Sequence, residues 1–378
     1  MSVTLMSETP KVGVRNHKVS FTEVGDADID GIFSLHNLTY QKDRKRTDWL
    51  WEYRSCFPAH YVFAVAKDDG RIIGTQGMIP IYLNLRGTKH LTGKSENSLL
   101  EKSYRGGRIF QELYEFGLSL CELKGMCCVW GFTPAVKVWR DKLTFDVYED
   151  VMHTHILVLD LKNALSKLSE ILLTIKIRAN MLYRILVILA YFYSSARIGM
   201  FNIGRKKERK RIFTIVTKLK APTDILDLYS RLRAEYDGLI HIEHDETYFA
   251  WRITNNPNLS YATYFVYEGD LLKAYCYATT HNGIVWLSDF TLEDKESGIM
   301  LLKYLLSILS KSGIGYALFT GNVRNALVVN VLDLLRKCGF LELKSERTSF
   351  VLKNIACSED LDVRNWYMNG LWTEGYQW

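Results

Sequence analysis

Apolar residues along the chain alternate between helical spacing and short β-like runs, and the two patterns take turns in a fixed order. VSFTEV (19–24) reads as a strand, and DADIDGIFSLHNLTY after it sets apolar residues three and four apart, the spacing of one helix face. RTDWLWEYRSCFPAHYVFAVAKDDGRIIG (46–74) follows, with Trp51 near a helix end, Pro58, an aromatic-rich β run, a turn at Gly70 and a second β run. From residue 211 the order returns. RIFTIVTKL (211–219) reads as a strand, APTDILDLYSRLRAEY as an amphipathic helix, and DETYFAWRITNNPNLSYATYFVYEGDLLKAY (245–275) repeats the Trp, Pro and Gly landmarks at Trp251, Pro257 and Gly269. Each half then carries a long helix, a short apolar strand and a closing helical stretch that ends in Lys and an aromatic, VWRDKLTF (138–145) and LLRKCGF (334–340). The order β-α-α-β-β-β-α-β-α-β occurs twice, so the pattern predicts two copies of one α/β unit, at 17–160 and 210–355.

Between the copies, 161–209 reads as a helical, basic connector. Its longest apolar stretch, LYRILVILAYFY, is 12 residues and contains Arg184. A membrane-spanning helix needs about 20 apolar residues, so a span is not expected. The connector is read as a helical pair with buried apolar faces, or as a segment lying on a membrane surface beside the run RKKERKR (205–211). After the second copy, the aromatic tail 356–378 ends in RNWYMNGLWTEGYQW, with three Trp and two Tyr. It is either a cap on the second unit or a platform for sugar rings.

Composition narrows the class. A chain of 378 residues is long enough for two or three domains, and 48% hydrophobic with 13% aromatic residues excludes a disordered chain. The net charge of +6 is traced largely to 205–211, read as a solvated connector or as a lipid or nucleic-acid contact. No arginine-aromatic RNA motif accompanies that run, so no nucleic-acid partner is expected. The seven cysteines show no zinc spacing, so no metal is expected and a reducing compartment is the simpler reading. The first 18 residues have no apolar core of the signal-peptide kind. The expected location is cytoplasmic, with peripheral contact at the inner membrane face through 164–211 as an option. The oligomeric state stays open.

The chemistry concentrates at SYRGGRIFQEL (103–113). SENSLL (95–100) reads as a strand, 101–106 as a turn, and RIFQELYEFGLSLCELKG as a helix with Ile109, Phe110, Leu113, Phe116, Leu120 and Leu123 on one face, stopped near Gly125. Such a turn aims the unpaired N–H groups of the first helical turn, and the positive end of the helix dipole, at one point. A pyrophosphate fits there, with Arg105 or Arg108 adding charge-assisted bonds. An ordinary strand–helix turn with solvated arginines is the plain alternative.

SENSLLEKSYRGGRIFQEL resembles the signature segment of the GNAT acyltransferase superfamily: a strand, then Arg or Gln followed by x-x-Gly-x-Gly/Ala, then a helix. CVWGFTPAVKVWRDKLTF resembles that family's next strand and helix, and the second half shares its layout and KCGF (337–340). The resemblance implies an α/β (α+β) fold of two tandem GNAT-like domains, each with a mixed, mostly antiparallel central sheet flanked by helices. It implies acetyl-CoA, or another acyl-CoA, as cosubstrate. Backbone N–H groups of Arg105, Gly106, Gly107, Arg108, Ile109 and Phe110 would hold its pyrophosphate. Ser98, Leu99 and Leu100 would pair with the pantetheine arm like an added strand. A splay from the strand at Cys127–Gly131 would place the thioester.

The chain departs from that pattern in three places. Arg108 stands where a Gly is usual, at a cost of about 1 kcal/mol or more if the turn needs positive φ there. Arg140, rather than Tyr, stands at the position of the usual acid, where it would stabilise the leaving thiolate electrostatically. Thr133-Pro134 replaces a familiar Asn. Glu96 is the candidate general base, and Glu101 a second choice. The second half has Asp294, Glu296 and a single Gly where its phosphate turn would be, and acidic side chains repel a pyrophosphate. These readings predict an acyl-CoA-dependent acyltransferase, in the first instance an N-acetyltransferase, acting on a polar acceptor such as an amino sugar or a surface-polysaccharide precursor. A Fem-type aminoacyltransferase, or a non-catalytic GNAT-like protein with a scaffold or membrane-surface role, are the alternatives.

Overall fold

The computed structural model describes residues 19–41, 44–174, 181–203, 211–343 and 348–373. The N-terminal 18 residues, the basic run as far as residue 210 and the last five residues of the aromatic tail lie outside the described residues.

In the first half, β1 (Val19–Glu23) leads into α1 (Ile29–Tyr40) and α2 (Arg46–Arg54). Three strands follow, β2 (Val62–Asp68), β3 (Arg71–Leu85) and β4 (Thr88–Leu100), then α3 (Ile109–Leu123), β5 (Cys128–Thr133), β6 (Asp146–Tyr148) and β7 (Met152–Val158). The connector is α4 (Leu161–Thr174) and α5 (Met181–Ile203). The second half runs β8 (Phe213–Val216), α6 (Asp224–Glu235), β9 (Ile240–Ile242), α7 (Glu246–Phe249), β10 (Tyr261–Glu268), β11 (Leu271–His281), β12 (Ile284–Leu292) and α8 (Lys295–Leu309). It closes with β13 (Tyr316–Asn322), α9 (Ala326–Cys338), β14 (Leu341–Leu343), β15 (Ser349–Asn354) and the short α10 (Gly370–Thr373).

Two mixed sheets result. The first has the order β1-β2-β3-β4-β5-β15-β6, with β9 added to the far end of β3; the second has β14-β7-β13-β12-β11-β10-β8. Most neighbours are antiparallel, and the parallel pairs are β4–β5 and β12–β13. The sequence order of the repeat is therefore not the boundary of the sheets. β15, from the second half, inserts between β5 and β6, and β7, from the first, inserts between β13 and β14. Each half gives its last long strand to the other sheet. The expected division at 17–160 and 210–355 follows the repeat, and the exchange cuts across it. Periodicity announces a strand but not its partner, which is chosen by long-range pairing.

Three details differ from the sequence reading. VWRDKLTF forms a single π-helical turn at Val138–Lys142 rather than a helix, whereas its counterpart α9 is a full helix, capped by Asn325 and stopped at Gly339 in the left-handed region. Leu123 is 81% exposed, because it lies in the last turn of α3; the buried face is Leu113, Tyr114, Gly117, Leu120 and Cys121. And α5 is one unbroken helix of 23 residues, long and apolar enough by length and composition to cross a membrane, so Arg184 does not interrupt it.

Candidate active site

The first half holds a splay between two parallel strands. β4 pairs with β5 only at Gly93–Lys94 against Val129–Trp130, and beyond that register the two separate. On its other edge β4 stays paired with β3 through Leu99 and Leu100. Between the paired stretches a bulge sets Asn97 and Ser98 opposite Gln76 alone. Asn97 sits at φ +56°, a left-handed conformation that Asn tolerates better than most residues. Its side chain accepts from Arg44 and donates to the hydroxyl of Tyr53, and its carbonyl accepts from Thr75 Oγ1 at 2.9 Å. Gly77 makes room for this: a Cβ there would lie 2.2 Å from the Tyr53 hydroxyl. Ser98 Oγ donates to the buried Gln76, whose amide donates to Ser95 Oγ at 3.1 Å. The bulge is thus held by partners on both faces.

Pleat geometry puts Lys94 and Glu96 on the same face. Lys94 Nζ lies 2.7 Å from Glu96 Oε1, and both side chains are nearly buried. Burial pushes the Glu96 carboxyl above its ordinary range, the neighbouring Glu52 adds to the rise, and Lys94 pulls the other way. Lys94 also lines a cleft built by both halves. Its walls are Glu52, Lys94 and Trp130 from the first half, Tyr248, Trp251 and Arg252 from the second, and Trp372 from the tail. It encloses about 20 Å³, room for one water, so any acceptor must displace side chains at its rim.

At the end of β4, the turn into α3 takes its positive φ at Gly106 (+96°). Arg108 is the N-cap residue at φ −89°, in the ordinary right-handed region, so the expected strain at that position does not arise. A Cβ built at Gly106 or Gly107 would meet nothing within 4 Å, and no side chain caps the α3 N-terminus. Ile109 and Phe110 begin the helix with partly buried side chains. The Arg105 guanidinium turns back, its Nε donating to the Leu100 carbonyl at 2.8 Å, and Arg108 lies exposed beside Glu112. What the turn offers an anion is its backbone, with arginine charge at the margin.

The equivalent places in the second half are filled by the chain itself. Asp294 caps α8, accepting from the N–H groups of Glu296 and Ser297 at 3.0 and 2.9 Å. Arg211 then pairs with Asp294, Glu268 and Glu296. β12 and β13 also pair only at their first residues, but the tail occupies the gap: Gly370 packs on the Ser288 backbone, and Asn369 bridges to Gly321. Trp366, Tyr367 and Trp372 are buried, so this part of the tail is a cap. The acidic residues seen in the sequence are not merely repulsive; one of them is the occupant of the helix terminus.

Arg140 does not join the site. It is half-exposed and paired with Glu149 at 2.6 Å, while its neighbour Trp139 is buried against Tyr114 and Phe145. Within the π-helical turn the buried position goes to Trp139, and Arg140, the next residue round, faces solvent. Glu101 pairs with Arg71 on the surface. Thr133 Oγ1 accepts from the Ala135 N–H and so closes its own turn. Asn97, Arg44, Glu52 and Arg252 were missed by the sequence reading. Among them only Asn97 carried a signal, as a left-handed-tolerant residue inside a strand pattern. No group of His, Cys, Asp and Glu able to hold a metal is found among the described residues.

No family model and no curated protein matches the sequence. Solved structures do match in fold. A conserved protein of unknown function from Enterococcus faecalis V583, described as a probable N-acyltransferase, aligns with a TM-score of 0.60 at 8% identity over 90% of this chain and 73% of its own. A GCN5-related N-acetyltransferase from Anabaena variabilis aligns with a TM-score of 0.58 at 12% identity, over 89% and 73%. A tandem GNAT protein from the clavulanic acid biosynthesis pathway aligns with a TM-score of 0.51 at 11% identity, over 91% of this chain and all of its own. With two repeats, a splayed β4–β5 pair, a bulge beside it and a glycine turn into α3, the chain has the fold of a tandem GNAT protein.

Proposed function

We propose that the protein is an acyl-CoA-dependent N-acyltransferase that uses only its first half to bind the cosubstrate. The observation that carries this reading is an asymmetry. The α3 N-terminus carries no side-chain cap, whereas Asp294 caps α8 and the tail packs into the second splay. The residues suit an acyl-CoA: backbone from Arg105 to Phe110 for the pyrophosphate, and the edge of β4 at Ser98–Leu100 for the pantetheine arm. Bound there, the acyl-CoA supplies the acyl group as a thioester.

Glu96 is the base in this reading. A carboxyl whose pKa is raised by burial accepts a proton from an attacking amine more readily than an exposed one. Lys94 offsets part of that rise, and Arg44 with Tyr53 fixes the bulge next to it. Trp130, Trp251 and Trp372, with Glu52 and Arg252, line a cleft with room for one water and would have to part to admit an acceptor. That combination suits a polar acceptor with a ring, of which an amino sugar is one class. The test is thermal shift with acetyl-CoA, followed by thiol release with a panel of amino sugars and simple amines. Stabilisation by acetyl-CoA and turnover with an amine are expected. No stabilisation at saturating acetyl-CoA would leave a non-catalytic GNAT-like protein.

A further inference from the structure

We infer that the outward face of α5 lies in the plane of an anionic lipid bilayer and docks the protein there. One side of the helix is packed: Val187, Ala190 and Tyr191 lie against one face of the second sheet, Ile198 and Phe201 reach the main core, and Ser194 Oγ donates to the Gly339 carbonyl at 3.2 Å. The opposite side is apolar and uncovered. Leu182, Ile185, Leu189, Phe192, Met200 and Ile203 project from it and are between 44% and 82% exposed. At 100° per residue these six fall within one third of the helix circumference, and Arg184 and Arg197 border them on either flank. An amphipathic helix in the membrane interface has this layout: an apolar stripe, with long cationic side chains at its margins that reach headgroups.

Charge selects the occupant. Residues 161–211 contain twelve Lys or Arg against two Glu, although the whole chain carries only +6. The rest of the molecule is therefore net acidic. An anionic surface is drawn to this segment and repelled elsewhere, which orients the approach. A second copy of the chain would have to bring the same basic segment against itself, which opposes pairing through this face.

The helix is long enough to span a bilayer, at 23 residues, but the fold forbids that. A single span between the two halves would put them on opposite sides of the membrane. β7 and β15 are exchanged between the sheets, so both halves must lie on one side, and the helix must lie flat.

The experiment is flotation of the full chain with vesicles of phosphatidylcholine alone, or mixed with phosphatidylglycerol. Binding to the anionic vesicles, weakened by high salt and absent from the neutral ones, is expected. Leu189→Glu with Phe192→Glu should cut the bound fraction roughly tenfold or more, with the thermal melt unchanged because both side chains are exposed. Arg184→Glu, which leaves the apolar stripe intact, should weaken binding in the same direction. Failure of the wild type to float with anionic vesicles overturns the inference. So does a double variant that floats as well as the wild type, or a concentration-dependent dimer that the double variant abolishes while no vesicle binding occurs.

Discussion

Trp51 and Trp251, at matching positions of the two repeats, hold each other across the centre of the molecule. Each indole N–H donates to the other's backbone carbonyl, Trp51 Nε1 at 3.2 Å and Trp251 Nε1 at 2.9 Å, with ring centroids 5.4 Å apart. The Arg252 guanidinium lies over both rings. A reciprocal contact of this kind marks a pseudo-twofold axis, the same patch meeting itself. The next residue along breaks the symmetry: Glu52 follows one Trp and Arg252 the other, and both face the cleft. The axis that joins the halves is also the wall of the candidate site.

Removing either indole therefore unsettles both. Trp251→Ala is expected to cost about 3 kcal/mol of stability. Because the two rings satisfy each other, the double variant should fall short of the summed single losses by about 1 kcal/mol. Urea unfolding of the two single variants and the double variant measures this.

The glycine turn makes separate predictions for adjacent residues. Gly106→Ala places a Cβ at positive φ and should cost about 1 kcal/mol. Gly107→Ala meets no neighbour in the free protein and should leave stability unchanged, while reducing the thermal shift given by acetyl-CoA. Arg108→Gly should gain no cosubstrate affinity, since Arg108 is unstrained. Melting curves with and without acetyl-CoA separate these outcomes.

For the chemistry, Glu96→Gln should lower kcat by roughly 100-fold or more without changing the KM for acetyl-CoA. The wild-type rate should rise with pH through the raised carboxyl and level off above it, because the ionised form is the base. Arg140→Ala should leave kcat unchanged, since its guanidinium is paired with Glu149 at the surface. Initial rates across a pH series test all three.

Asp289 predicts a stability profile. It is fully buried, and burial pushes its carboxyl up to about 7, against hydrogen bonds from Tyr275, Thr291, Asn369 and Tyr367. In the unfolded chain an Asp titrates near 3.9. Between those values the native state keeps a proton that the unfolded state has lost, so this group's contribution falls as pH rises through that window and is flat above it. Asp289→Asn should remove that slope. Urea midpoints of the two proteins at about pH 5 and pH 8 give the comparison.

The sequence by itself determined what local chemistry controls. Spacing of apolar residues set the order of strands and helices in both halves, and the Trp, Pro and Gly landmarks exposed the repeat. The strand ending at Leu100, the glycine pair and the helix from Ile109 located the uncapped turn proposed to hold an anion, because a turn is specified by the residues within it. The sequence could not show which glycine takes the positive φ, or that a π-turn would present Trp139 and turn Arg140 outward, since those depend on what the backbone packs against. Only the tertiary structure decided the exchange of β7 and β15, the reciprocal clasp of Trp51 and Trp251, the closure of the second splay by the tail, and the uncovered face of α5. Each of these joins residues far apart in the chain. Strand partners and cleft walls are chosen by the global burial of apolar surface, and no local pattern records that choice.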